Sequence, residues 1–151
     1  MQKIRITKRF NFEMAHALTG YDGLCKNIHG HSYVLWVTLR GIPSTEEGNP
    51  KKGMVVDFSE INKVIKKHII SVFDHALLIN GQTPGVDKAL LRSFSERTIM
   101  VDYQPTCENL LLDFSVRIRS VLNNDMELYS LKLQETETSY AEWFAEDNQP
   151  V

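Results

Sequence analysis

Only two cysteines, Cys25 and Cys107, occur in 151 residues, too few for a disulfide framework. No apolar run approaches the ~18 residues that a membrane span needs. The N-terminus, Met1-Gln2-Lys3-Ile4-Arg5, alternates charge with apolar residues instead of building a signal-peptide block. Neither charge sign dominates, since 17 basic against 19 acidic residues leave a net charge of −2. No basic stripe points to nucleic acid, and no acidic tract points to a disordered tail. Internal repeats and low-complexity linkers are missing too. What remains is a single domain over residues 1–151, long enough to bury a real core. Its expected place is the cytoplasm, where thiols stay reduced.

Periodicity supplies the elements. Residues 3–13 alternate apart from Lys8, with Ile4, Ile6, Phe10 and Phe12 on one parity, which predicts a half-buried strand. A second strand is expected over His31–Leu39, where Tyr33, Leu35, Val37 and Leu39 share the odd parity and Val34 and Trp36 make the other face partly apolar. A long polar connection, Gly41–Gly53, leads to Asp57-Phe58-Ser59-Glu60, with the spacing of a capping box. Apolar residues then recur at helical spacing, and residues 58–72 should form an amphipathic helix. Residues 81–104 are less regular, a loop with a short helical or extended piece. Thr106 is the expected N-cap of a second helix, with Glu108 in its first turn and Leu110, Leu111, Phe114, Ile118, Val121 and Leu122 on its apolar face. After a turn at Asn123-Asn124-Asp125, strands are expected over 126–135 and 140–145.

Chemistry concentrates in Cys25-Lys26-Asn27-Ile28-His29-Gly30-His31. Residues i and i+2 of a strand share a face, so His29 and His31 project together, and Gly30 between them leaves room for close approach of a ligand. Two imidazoles are one short of the three protein ligands usual for catalytic zinc. His16, at the end of the first strand, can supply the third if the two strands pair antiparallel. All-imidazole ligation suits zinc best. Against this stands the bland reading of capping or surface histidines at a turn. Cys25 is open to three roles: fourth ligand, nucleophile or base. Cys107, at a helix start, is taken as structural.

The remaining candidates each have an ordinary counterpart. Asp74-His75 is either a loop histidine with an acidic neighbour or an acid/base pair whose carboxylate adjusts the imidazole. Glu135 falls on the apolar parity of its strand; a carboxylate there needs a partner unless the strand end frays into solvent. Thr106 and Glu108 are a plain helix start or a dock for a small polar ligand. His68 and Glu137 are expected in solvent, and Asp57 is expected to cap.

Taken together, Phe12-Glu13-Met14-Ala15-His16, Cys25-x-x-x-His29-Gly30-His31, Val56-Asp57-Phe58, Asp74-His75, Pro105-Thr106-x-Glu108-Asn109 and Glu135-Thr136 resemble the 6-pyruvoyltetrahydropterin synthase family. The three-residue gap between Cys25 and His29 resembles its 6-carboxytetrahydropterin synthase branch, of queuosine biosynthesis. The resemblance implies an α+β tunnelling fold of order ββααββ, an antiparallel four-stranded sheet with two helices on one face. It implies zinc on His16, His29 and His31, Cys25 as catalytic base, Asp74 and His75 as proton partners, and Glu135 holding the pterin with help from Thr106 and Glu108. It further implies a lyase acting on 7,8-dihydroneopterin triphosphate, with 6-pyruvoyl product or a silent zinc- or pterin-binding module as the alternatives. Members assemble from two trimers with shared sites, so a homohexamer is expected, and no nucleic acid or membrane partner. Residues 81–104 look longer than the corresponding connection in compact bacterial members.

Overall fold

β1 (Ile4–Ala17) and β2 (His29–Gly41) form a long antiparallel pair around which the rest assembles in the computed structural model, which describes residues 2–123 and 126–149. The pairing runs from Ile4 opposite Gly41 to His16 opposite His29. Both strands exceed their alternating cores: β1 continues four residues past Glu13, and β2 begins at His29 rather than His31. Phe10, Phe12 and Met14 of β1 and Tyr33, Leu35, Val37 and Leu39 of β2 are buried on the inner face, as the parity predicts.

Next come α1 (Phe58–Ile65), a π-helical turn (Lys66–Ile70) and α2 (Ser71–Phe73), which together replace the single helix expected over 58–72. Asp57 caps α1 by accepting the Ser59 N–H, while Glu60 pairs with Lys51 instead of closing the capping box. The π turn has a reason in the spacing. Ile61, Ile65, Ile69 and Phe73 are all buried and stand four residues apart, whereas an α-helix closes a turn in about 3.6 residues. Three such steps would carry Phe73 off the core face, and one wider turn takes up the drift.

The sheet has six strands, not four, and it is mixed, not antiparallel. β3 (Ala76–Asn80) and β4 (Thr98–Val101) add to the outer edge of β1, giving the order β4-β3-β1-β2-β5-β6. β1, β3 and β4 run parallel to one another, with α3 (Lys88–Phe94) crossing between β3 and β4. Ala76, Leu77, Leu78 and Ile79 are all buried, the unbroken apolar run typical of a parallel strand covered on both faces. α4 (Cys107–Arg119), capped by Thr106 as expected, packs with α1 on the inner face. α3 lies over the opposite face, where Leu91 and Val86 meet Ala17, Leu77 and Ile79. β5 (Glu127–Thr136) and β6 (Ser139–Phe144) complete the sheet. Of the turn expected before β5, Asn124 and Asp125 lie outside the described residues. No helix among the described residues is long and apolar enough to cross a membrane.

Candidate metal centre and active site

At the end of the inner face, the core row of β1 and β2 changes from aromatic to imidazole. His16 is buried, His29 and His31 are partly exposed, and one ring nitrogen from each lies within 4.8 Å of the others. The parity argument holds, since the antiparallel register places His16 directly across from His29. Backbone carbonyls orient two of the rings: Nδ1 of His16 lies 2.7 Å from Pro105 O, and Nδ1 of His29 lies 2.8 Å from Asn27 O. Carbonyls only accept, so both Nδ1 atoms carry the proton and both Nε2 atoms present lone pairs. Those two Nε2 atoms face each other at 3.1 Å. Two lone pairs at that distance call for a cation between them, and two nitrogens on a tetrahedral zinc stand roughly 3.3 Å apart. Burial lowers the pKa of His16 and of His31, which favours the neutral imidazole that can ligate. The donor set fits a metal ion, which His16, His29 and His31 could hold.

A cavity of about 380 Å³ opens beside these rings, lined by Cys25, Thr106, Glu108, Glu135 and Tyr140 among others. Cys25 sits in an exposed 3-10 turn (Leu24–Lys26), anchored where Leu18 N donates to Cys25 O. Its thiol lines the cavity but stands outside the cluster of nitrogen donors. Glu135 does have the partners its position demanded. Its Oε1 accepts from Tyr33 Oη at 3.1 Å and lies 3.6 Å from His16 Nε2 and 3.8 Å from His31 Nε2. Pro105, Thr106 and Glu108 belong to one turn, so the start of α4 both orients His16 and walls the cavity. Cys107 is buried, donates to Leu133 O, and has its thiol pushed up to about 12 by burial, consistent with a structural role.

Asp74 and His75 are not in this cavity. His75 lines a second one of about 550 Å³ with Glu13, Gly30, Ser32 and Phe94, and the two cavities share only His31 among their lining residues. Gly30 accordingly leaves its room on this side: a Cβ there would meet Met14 O at 3.5 Å, on the face away from the two imidazoles. Asp74 Oδ1 lies 3.0 Å from His75 Nδ1 and accepts the Glu13 N–H at 2.9 Å, and that backbone bond is the main cause of a lowered Asp74 pKa. His75 is the one non-glycine residue at positive φ (59°) among the described residues.

Periodicity marks Tyr33 only as a core residue and does not mark the carbonyls of Asn27 and Pro105. Tyr33 continues the row of His29 and His31, a parity legible in the sequence, whereas its meeting with Glu135 depends on strand order, which is not. The carbonyls carry no signal, since every residue offers one.

The mixed sheet with helices packed on its inner face is a tunnelling fold, a class of α+β enzyme scaffold. The chain belongs to the 6-pyruvoyl tetrahydropterin synthase family, whose profile matches residues 5–146. It is 33% identical over 141 residues to the 6-carboxy-5,6,7,8-tetrahydropterin synthase of Haemophilus influenzae, covering 92% of this chain and 97% of that one. It is 32% identical to the dihydroneopterin monophosphate aldolase of Pyrococcus furiosus, covering 88% and 90%. The structure of the Caenorhabditis elegans 6-pyruvoyl tetrahydropterin synthase superposes with a TM-score of 0.67 at 24% identity over 96% and 97%, a likeness of fold. The expectation of a pterin synthase enzyme is met at that level.

Proposed function

We propose that this chain is a zinc-dependent lyase converting 7,8-dihydroneopterin triphosphate to 6-carboxy-5,6,7,8-tetrahydropterin, with release of acetaldehyde and triphosphate. The observation that carries it is the pair of opposed Nε2 lone pairs of His16 and His29 beside Glu135. Glu135 anchors the pterin through its ring nitrogens, aided by Thr106 and Glu108. Bound zinc supplies Lewis-acid polarisation of the substrate's side-chain hydroxyls. Cys25 takes protons from that side chain as base, and the Asp74–His75 pair relays or returns them. Because one chain separates Cys25 from His75, the second cavity of a neighbouring copy closes the site, in a homohexamer of two trimers in the cytoplasm. The likeness to the Haemophilus protein supports the carboxy product.

The test is metal content and product identity together. The purified protein should hold about one zinc per chain and yield acetaldehyde from 7,8-dihydroneopterin triphosphate. A 6-pyruvoyl product without acetaldehyde would replace the reaction. Absence of turnover on any dihydropterin phosphate would leave a binding module.

A further inference from the structure

His75 projects from a corner that the chain alone would not hold. Its side chain is 73% exposed, so packing does not orient it, and its backbone lies in a region that L-residues avoid. What fixes the corner is the peptide plane between Asp74 and His75. The His75 N–H end donates to Glu13 O at 2.6 Å. The Asp74 carbonyl end accepts from Nε of Arg97 at 3.2 Å. The same guanidinium, through Nη2, donates to Ser71 O at 3.0 Å and Val72 O at 3.2 Å, carbonyls that the end of α2 leaves without helical partners. A planar fork with several fixed donors can serve three carbonyls at once. Arg97 is itself held beside the corner, because its carbonyl accepts the Leu77 N–H at 3.1 Å and the next residue, Thr98, pairs with Leu77.

We propose that Arg97, carried in by the 81–104 connection, is a positioning residue for the Asp74–His75 pair, an inference that rests on the proton-transfer role given to that pair above. Arg97 fixes the peptide plane, the plane fixes the direction in which His75 leaves the backbone, and Asp74 Oδ1 then meets Nδ1, which leaves Nε2 for proton transfer. Phe94, from the same connection, walls that cavity. The connection is therefore part of the catalytic apparatus and not only a sheet extension.

Arg97→Ala, Arg97→Lys and His75→Ala would be compared in the zinc-loaded protein by steady-state turnover of 7,8-dihydroneopterin triphosphate, well below each melting temperature. Misplacing a proton-transfer group by about 1 Å can cost up to ~100-fold, so kcat of Arg97→Ala should fall at least about tenfold with KM within about twofold. Arg97→Lys, which keeps charge and donors but loses the fork, should recover part of kcat. A helix cap alone would lower the melting temperature and leave kcat within about twofold of the unaltered chain; that result, with His75→Ala inactive, overturns the positioning role. Unchanged kcat in His75→Ala would instead overturn the role of the pair itself. If Arg97→Ala does not fold, Arg97→Gln and Arg97→Lys carry the same comparison of kcat with melting temperature.

Discussion

With Pro105 O on His16 Nδ1 and Asn27 O on His29 Nδ1, the tautomer of each ring is set before any ligand arrives. This bears on Cys25. Under the proposed function three imidazoles suffice to hold the metal, which leaves the thiol beside them for the substrate. Replacing Cys25 with Ala should leave metal content unchanged and lower kcat by about 10²–10⁴-fold, the usual span for a lost general base. Unchanged turnover with metal bound would remove Cys25 from the chemistry. Asp74 offers a pH-dependent counterpart. Its folded pKa lies below the ordinary value of 3.8, chiefly through the Glu13 N–H, so ionised Asp74 stabilises the native state. That contribution is complete above about pH 4 and is lost as pH falls through the lowered folded value. In urea titrations, the stability gap between the unaltered chain and Asp74→Ala should be widest near neutrality and shrink on acidification. A gap independent of pH would count against the ionised pairing.

At the scale of elements, the core segments show why some of the architecture could be read directly and some could not. β1, β2 and β5 each bury one face, so alternation gave their parity, and with it the meeting of His16, His29 and His31 and the inward position of Glu135. Ala76–Ile79 is covered on both faces and has no alternation, which hid β3; β4 is four residues long and, among the described residues, pairs only with β3. The Tyr33–Glu135 bond joins residues 102 apart and depends on strand order, which periodicity does not contain. The helical run over 58–72 was legible by its spacing, but the π turn was not, since Phe58, Ile61, Ile65, Ile69 and Val72 also suit a straight α-helix and the drift shows only once Phe73 is seen to be buried beside them. Ile69 sits within that turn and is fully buried. Ile69→Ala should destabilise the protein by about 2–5 kcal/mol, measured by chemical denaturation, through lost burial and the cavity left behind. A cost under about 1 kcal/mol would show that the wider turn relaxes to fill the space.

For the whole molecule, the separation of Cys25 from Asp74 and His75 in one chain makes a prediction that does not depend on product chemistry. If a neighbouring copy brings its His75 to the Cys25 cavity, then Cys25→Ala and His75→Ala chains are each inactive alone but complementary when assembled together. Each mixed site draws its cysteine from one chain and its histidine from another. With equal amounts and random assembly, half the sites receive a sound cysteine and, independently, half a sound histidine, so about a quarter of sites are whole in a symmetric oligomer of shared sites. The two variants should therefore be dissociated, mixed and reassembled, and the activity compared with the same treatment of unaltered chains. Recovery near a quarter, peaking at equal proportions, places the two residues on different chains. Sites contained within one chain would give no recovery at any ratio, because every cavity would still lack one of the two groups. The second cavity beside Glu13 and Ser32 would then have to reach Cys25 by movement within the chain, against a corner pinned by Glu13 and Arg97.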